Sequence, residues 1–191
     1  SQNMTGTGLS AATTYYFAMK TADEVPNWST LSNSPSGTTS AAADTTAPAA
    51  VSDLATGAVT STTIVLSWTS PGDDGSTGTA TTYDIRYATS PITTDAQFTA
   101  ATQVAGEPTP AVAGTPVVVG LSGLTPSTTY YFAMKTADEV PNWSMLSNNP
   151  SGTTAAPPDT TAPSAISDLA TGAVTGTSIV LSWTSPGDDG A

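Results

Sequence analysis

The sequence contains neither cysteine nor histidine, and these two absences exclude most of the chemistry that protein side chains perform. Without cysteine there is no disulfide, no thiolate nucleophile and no zinc site of the usual cysteine-containing kind. Without histidine there is no imidazole to act as an acid or base near neutral pH, or to activate a serine or threonine. We therefore predict that the chain is not an enzyme.

Positive charge is nearly absent as well. Lysine and arginine total 3, against 15 aspartates and glutamates, which gives a net charge of −12. Phosphate backbones and anionic lipid surfaces repel such a chain, and no apolar run approaches the ~18 residues of a membrane helix. We expect no nucleic-acid partner and no membrane insertion. Only 9% of the residues are charged, which is unlike an average cytosolic enzyme and favours an extracellular or cell-surface location.

Internal repetition is the strongest positive feature of the sequence. The segment TTYYFAMKTADEVPNWS occurs at residues 13–29 and again at 128–144, a shift of 115. The segments DTTAP, starting at Asp44, and IVLSWTSPGDDG, starting at Ile64, recur with the same shift. A period of 115 residues suits one small domain rather than a solenoid unit. The chain is therefore expected to hold one complete repeat and parts of two others.

Within the complete repeat, apolar residues alternate with polar ones in short runs bounded by Gly, Pro, Asp and Ser, which is typical of half-buried strands. There are four such sets: Ile64, Leu66 and Trp68; Tyr83, Ile85 and Tyr87; Val117, Val119 and Leu121; and Tyr130, Phe132 and Met134. No amphipathic helix is evident, although residues 94–102 are compatible with a single helical turn. This pattern of about seven short strands predicts an all-β sandwich.

The segment GLTPSTTYYFAMKTA, at residues 123–137, resembles the fibronectin type III motif G-L-x-P-x-T-x-Y-x-F-x-V-x-A. The segment SWTSP at Ser67 is similar to the tryptophan of strand B with its proline turn, and YDIRY at Tyr83 is similar to strand C. The resemblance covers essentially the whole chain. It implies immunoglobulin-like β-sandwiches in tandem, as in bacterial-type secreted or cell-surface proteins.

The resemblance also implies roles for individual residues. Trp68 would be the central core aromatic, and Tyr130 would be the tyrosine corner, whose hydroxyl bonds to backbone a few residues upstream. The expected structural core comprises Trp68, Tyr83, Tyr87, Leu124, Tyr130 and Phe132. In the first partial copy Gly6 takes the place of Leu121, so its fifth strand is expected to pack less well.

The same pattern divides the chain into domains. Residues 1–40 are assigned to the C-terminal part of a repeat (strands E–G), 48–154 to a complete repeat, and 163–191 to the N-terminal part of a further repeat (strands A–B). Linkers are expected at 41–47 and 155–162. The linkers are rich in Ala, Thr and Pro, which favours extended conformations.

The acidic residues are the candidates for a binding site. Carboxylates follow strand B and strand F, in what the resemblance makes the BC and FG loops at one pole of the sandwich, and the incoming linker brings another. Calcium takes six to eight oxygen ligands of this kind. We therefore consider a calcium site at the junction between domains, formed by Asp44, Asp73, Asp74, Asp138 and Glu139.

Two other interpretations of the same residues remain open. Asp, Gly and Pro also make solvated tight turns with no ligand. A pair of carboxylates ~5–9.5 Å apart serves glycosidases, but a small sandwich rarely offers the cleft that such an enzyme needs.

Three functions are compatible with the sequence. Nearly identical repeats favour a structural protein whose copies pack into a filament, sheath or stalk, with copies of itself as partners. The alternatives are an adhesion module that binds a surface protein or carbohydrate through the BC and FG loops, and a passive spacer of a secreted carbohydrate-active enzyme.

Overall fold

The computed structural model describes residues 1–188. Within that range the chain forms short antiparallel strands and one short helix. In chain order the elements are β1 (Thr14–Tyr16), β2 (Ser36–Thr38), β3 (Ala55–Val59), β4 (Ile64–Thr69), β5 (Thr82–Ala88), α1 (Asp95–Ala100), β6 (Thr102–Gln103), β7 (Pro116–Leu121), β8 (Thr129–Ala137), β9 (Ser151–Thr153), β10 (Ala170–Val174) and β11 (Ile179–Ser182). The last three residues of the segment assigned to the further repeat lie outside the described residues.

One sheet of the complete repeat has the strand order β3–β4–β7. The alternation along β4 turns Ile64, Leu66 and Trp68 to one face, and all three are buried. Strand β7 pairs with β4 over the whole length of both strands and adds the buried Leu121 to the same face. The period of two read from the sequence therefore marks the inner face of this sheet.

The second sheet has the order β6–β5–β8–β9. Strands β5 and β8 pair from Thr82–Ala137 to Ala88–Tyr131, the longest pairing in this sheet. Alternating aromatic and aliphatic residues of both strands are buried on its inner face: Tyr83, Ile85, Tyr130, Phe132 and Met134.

The two inner faces enclose a single apolar core. Trp68 and Tyr83, from opposite sheets, meet edge to face with ring centroids 5.3 Å apart. Leu124 is buried in the same core, and Tyr87 packs against it from a half-buried position. The Tyr130 hydroxyl accepts a hydrogen bond from the Thr125 amide at 3.0 Å, which is the geometry of a tyrosine corner. The two-sheet all-β sandwich predicted from the sequence is confirmed.

Helix α1 covers the outer face of the second sheet. The Thr94 hydroxyl and the Gln97 side chain cap its first turn reciprocally, and Phe98 packs on Ile92 and Ala133. The Arg86 guanidinium lies 5.0 Å from the Phe98 ring centroid and the Lys135 ammonium 5.9 Å, while Lys135 also pairs with Asp95 at 2.8 Å. Both basic residues of the complete repeat therefore hold this helix in place.

The described residues contain no helix of the length and apolarity that crossing a bilayer requires.

The first partial copy forms only the hairpin β1–β2. The strand E expected near its start is not formed, since residues 1–13 contain no strand. In the complete repeat this strand is β7, which pairs only with β4 in its sheet, and residues 1–40 include no such partner. Strand β1 is likewise much shorter than β8, because β8 owes most of its length to pairing with β5.

The second partial copy forms the hairpin β10–β11 in the register of β3–β4. Its residues match the complete repeat almost letter for letter, yet their exposure differs sharply. Trp183 is 53% exposed whereas its counterpart Trp68 is 3% exposed. Burial of these side chains therefore depends on the second sheet, and not on the local sequence.

Candidate functional site

The predicted acidic site lies at one pole of the complete repeat. This pole comprises residues 44–49, where the linker enters the repeat, together with the BC loop 70–81 and the FG loop 138–150. The linker is bound to the BC loop by backbone hydrogen bonds. The Gly75 amide donates to the Ala47 carbonyl at 3.1 Å, and the Ala49 amide donates to the Gly75 carbonyl at 2.9 Å. Pro48 between them is buried and lies opposite Gly75 in a parallel bridge. The contacts of the complete repeat thus begin upstream of its first strand.

The FG loop binds the same linker through one side chain. The Asn142 Nδ2 group donates to the Asp138 carboxylate at 2.7 Å and to the Asp44 carbonyl at 3.4 Å. Asn142 therefore connects the loop to the linker. The Asp44 carboxylate itself accepts the Thr46 amide at 2.9 Å, which closes a local turn.

Asp138 organises the FG loop from within. Its Oδ1 atom accepts the backbone amides of Val140 and Asn142, at 3.0 and 2.7 Å. Burial alone would raise the pKa of Asp138, but these bonds and the one from the Asn142 side chain bring the pKa below its ordinary value. The ionised carboxylate is thus largely satisfied by its own loop. Asp23 makes the same three bonds, with Val25 and Asn27, in the first partial copy.

The ionised carboxylate of Asp73 is destabilised by its surroundings at the pole. Burial, together with the negative charges of Glu139, Asp138 and Asp74, raises the pKa of Asp73 above its ordinary value. Its Oδ1 atom is buried with no hydrogen-bond partner. These four acids lie close enough to repel one another. Arg86 and Lys135 pair with other acids, Asp84 and Asp95, and so do not offset this repulsion.

The BC loop is held tight by glycines. A Cβ atom at Gly72 would overlap the backbone of Thr77, so the chain can approach itself this closely only without a side chain there. Gly75, with φ +64°, occupies the left-handed region at the point where the linker binds. The repeated sequence PGDDG is therefore required by the loop backbone, and not only by the charge that it carries.

The structure brings Asp73, Asp74, Asp138 and Glu139 to one end of the sandwich, and places the backbone of Asp44 beside them. Over residues 1–188, however, no three acidic side chains converge closely enough to hold a metal ion. Asp138 uses its oxygens on its own loop, and Asp44 bonds to Thr46. Calcium binding at this pole stays a prediction.

Sequence reasoning missed the residues that close the edge of the sandwich. The Asn148 side chain pairs with the backbone of Leu54, and Asn149 bonds to the Ile92 amide and the Phe132 carbonyl, at 3.1 and 2.7 Å. In sequence both residues are indistinguishable from turn asparagines. The only signal is that Asn148 recurs as Asn33 whereas Asn149 is replaced by Ser34.

Comparison with known proteins places this sandwich in a family. The model of the purple acid phosphatase N-terminal domain matches residues 50–148, slightly more than half of the chain. The chain belongs to this family of purple acid phosphatase N-terminal domains. That domain has a fibronectin type III-like fold. The resemblance of this sequence to fibronectin type III repeats is therefore confirmed.

Two bacterial enzymes are similar to this chain over most of its length. Exoglucanase B of Cellulomonas fimi is 32% identical over 191 residues, which is 98% of this chain and 16% of the exoglucanase. Chitinase A1 of Niallia circulans is 34% identical over 158 residues, 81% of this chain and 19% of the chitinase. The chain spans less than a fifth of the length of either relative.

Solved structures with similar folds include the FN1-FN3 domains of chicken CNTN1, at 18% identity and a TM-score of 0.41, covering 80% of this chain and 44% of that one. Domains of titin match at 16% identity with a TM-score of 0.42, covering 64% of this chain and 36% of that one.

Proposed function

We propose that the chain is a non-catalytic spacer of fibronectin type III repeats within an extracellular polysaccharide-degrading enzyme. The observation that carries the proposal is the similarity to part of an exoglucanase and part of a chitinase, in each of which the matching region is a minor share of the length. Their names indicate glucan and chitin as substrates, and polymers of this kind are degraded outside the cell. This supports the extracellular location expected from composition.

The contacts at the pole favour a spacer function because they leave only a short part of the linker without contacts to either copy. Ser40 is bonded to the amide of Ala12 in the preceding copy, and Asp44 is bonded to Asn142 in the complete repeat. Only residues 41–43 lie between these two anchored points, and the four Cα–Cα steps from Ser40 to Asp44 span at most about 14 Å. Anchored entry and short linkers keep successive repeats at defined separations, which is what a spacer needs.

A catalytic role for the repeat itself is not favoured by the chemistry of the pole. Asp138 has a lowered pKa and is occupied by its own loop, so it is a poor general acid. Asp73 has a raised pKa, but its neighbours are acids of the same surface rather than the walls of a sugar cleft. Adhesion through the BC and FG loops is also disfavoured. Asp138 and Asn142 of the FG loop bond to each other, and both loops bond to the linker through Gly75 and Asn142.

A filament or stalk of repeats is the second candidate. It is favoured by the near-identity of the copies, whose matching segments at residues 13–29 and 128–144 have the same sequence. Separate repeats in a spacer do not require such uniformity.

Three assays on the purified chain distinguish these functions. A spacer neither hydrolyses cellulose or chitin nor co-sediments with the insoluble polymers, and it gives small-angle scattering of a string of modules rather than fibres. Retention on a polymer would instead support adhesion, fibres in negative stain would support the filament, and release of soluble sugar would overturn the non-catalytic assignment.

A further inference from the structure

Strand β7 is an edge strand of the complete repeat, because it pairs with β4 on one side only. The pairing is regular from Ile64–Leu121 to Thr69–Pro116 and contains no bulge. None of the six residues of β7 is charged. A strand edge of this kind presents a row of unpaired backbone amides and carbonyls, which proteins normally cover or protect.

The edge where strands β3 and β9 meet is closed by side chains. The side-chain amide of Asn148 bonds both polar backbone groups of Leu54. The Thr56 hydroxyl donates to the Ser151 carbonyl at 2.9 Å. These bonds join the two sheets along this side of the sandwich, so β3 and β9 do not present a free edge there.

The edge of β5 is protected in a different way. Strand β6 beside it has only two residues. Beyond β6, the Val104 amide donates to the Ile85 carbonyl at 2.8 Å, and the Glu107 carboxylate accepts the Ile85 amide. A very short strand and a charged side chain are two devices that protect a sheet edge. Within residues 48–154, β7 is thus the edge with the least protection, since its only such device is Pro116 at its first position.

The pairing with β4 shows which backbone groups of β7 face outwards. The Ser70 amide donates to the Thr115 carbonyl at 2.8 Å, whereas the Thr69 amide points away from β7 and donates to the Asp53 carboxylate at 3.1 Å. Bonded and non-bonded positions alternate along an antiparallel pair. Pro116, which lies opposite Thr69, is therefore a non-bonded position of β7.

Every second residue of β7 consequently turns its polar backbone groups to the open edge: Pro116, Val118 and Gly120. All three residues are exposed, and Val118 is 68% exposed. Because proline has no amide hydrogen to donate, the open edge offers three carbonyls but only two amides. Among residues 1–188, the turns, loops and side chains contribute no hydrogen bond to these groups.

We propose that β7 of one copy of this chain pairs antiparallel with β7 of a second copy, which joins the two β3–β4–β7 sheets edge to edge. Val118 of one copy lies opposite Val118 of the other, and the two residues exchange two hydrogen bonds. Each Gly120 amide donates to the Pro116 carbonyl of the other copy, which adds two more. The missing amide of Pro116 costs this register only one bond on each side.

The chemistry of β7 favours a second copy as the partner. A pair of identical antiparallel strands is isologous, so the same groups are satisfied in both copies and the contact closes at two chains. The chain has a net charge of −12, and an uncharged strand lets two such chains meet without placing carboxylates opposite each other. The two Val118 side chains also contact each other across the new strand pair. This contact is independent of whether the repeats act as a spacer or as a filament.

Sedimentation equilibrium at chain concentrations up to about 1 mM tests the contact, because an edge held by four backbone hydrogen bonds is weak. The native chain should form dimers, and more of them at higher salt, which screens the net negative charge. Val118→Lys should weaken dimerisation roughly tenfold or more, since two ammonium groups would then lie opposite each other.

The matched control is Val59→Lys. Val59 is also an exposed valine of this sheet, but it lies on β3, the other outer strand, so this variant should dimerise like the native chain. Circular dichroism and the Tm establish that both variants are folded. A native chain that stays monomeric, assemblies larger than dimers, or equal weakening by the two substitutions would overturn the proposal.

A cysteine cross-link tests the register independently, because the chain has no cysteine of its own. Opposite residues of a hydrogen-bonded antiparallel pair have Cα atoms about 5.5 Å apart, which a disulfide can span. Under mild oxidation Val118→Cys should give a covalent dimer at twice the monomer mass of 19.0 kDa on a non-reducing gel. Val59→Cys should remain monomeric. Equal dimer yields from the two cysteine variants would contradict the proposed pairing.

Discussion

The side-chain amide of Asn148 hydrogen-bonds both polar backbone groups of Leu54, its Oδ1 atom accepting at 3.0 Å and its Nδ2 group donating at 2.8 Å. This single side chain stands in for a neighbouring strand at the edge of the sandwich. It connects segments that are 94 residues apart in the chain.

Replacing Asn148 by Ala is expected to destabilise the complete repeat. Two polar groups of the buried Leu54 lose their partner, at about 1–3 kcal/mol each. The free energy of unfolding from urea denaturation measures the loss. Asn33→Ala is the control, because Asn33 has the equivalent position in an open hairpin; an equal loss in both variants would contradict the role assigned to Asn148.

Removal of the Tyr130 hydroxyl tests the tyrosine corner. In Tyr130→Phe the Thr125 amide loses its acceptor, and we expect a loss of about 1 kcal/mol. For a domain of roughly 100 residues this lowers the Tm by about 4–8 °C, which calorimetry resolves. Tyr15→Phe removes the equivalent bond to Ser10 but should leave the Tm unchanged, since that copy has no closed core.

The raised pKa of Asp73 predicts how stability depends on pH. Its folded pKa lies above the unfolded one, so the destabilisation is present at pH values above the folded pKa and disappears as the pH falls through it. Asp73→Asn should therefore raise the Tm at pH 7 and leave it nearly unchanged at pH 3.

Asp138 provides the opposite case. Its folded pKa is lowered, so its stabilisation is present above the unfolded pKa and is lost as the pH falls through the folded one. Asp138→Asn should lower the Tm at pH 7. Tm shifts of the same sign for the Asp73 and Asp138 variants would contradict the geometry of the pole.

Calcium addition tests the predicted metal site directly. Calcium binding at the predicted site, formed by Asp44, Asp73, Asp74, Asp138 and Glu139, would release or absorb heat on titration and raise the Tm through linkage. Asp73→Asn/Glu139→Gln should abolish both effects, while Asp95→Asn, on helix α1, should not. Absence of heat and of a Tm shift in the native chain would dispose of the site.

The sequence predicts the sandwich well because its signals are periodic. Ile64, Leu66 and Trp68 alternate strictly, and this alternation requires no knowledge of the partner sheet. Residues 94–102 are compatible with a helical turn on the sequence alone, and the structure forms it with a reciprocal cap between Thr94 and Gln97.

What the sequence does not predict depends on distant partners. The sequence assigns Asp138 to a predicted calcium site. In the structure its carboxylate accepts hydrogen bonds from Val140 and Asn142 of the same loop. Asn148 finds its partner 94 residues away, and no local pattern distinguishes it from a turn residue. The strand E expected in the first copy fails to form because its pairing partner belongs to another part of a repeat.

In this chain the complete repeat buries its core tryptophan Trp68, whereas the matching Trp183 is exposed. Acrylamide quenching of single-tryptophan variants measures this, using chain dilute enough to sediment as a monomer. One variant retains Trp68 and the other retains Trp183, with the remaining tryptophans changed to phenylalanine. Quenching should be several-fold weaker for Trp68 than for Trp183; equal quenching of the two would contradict the account.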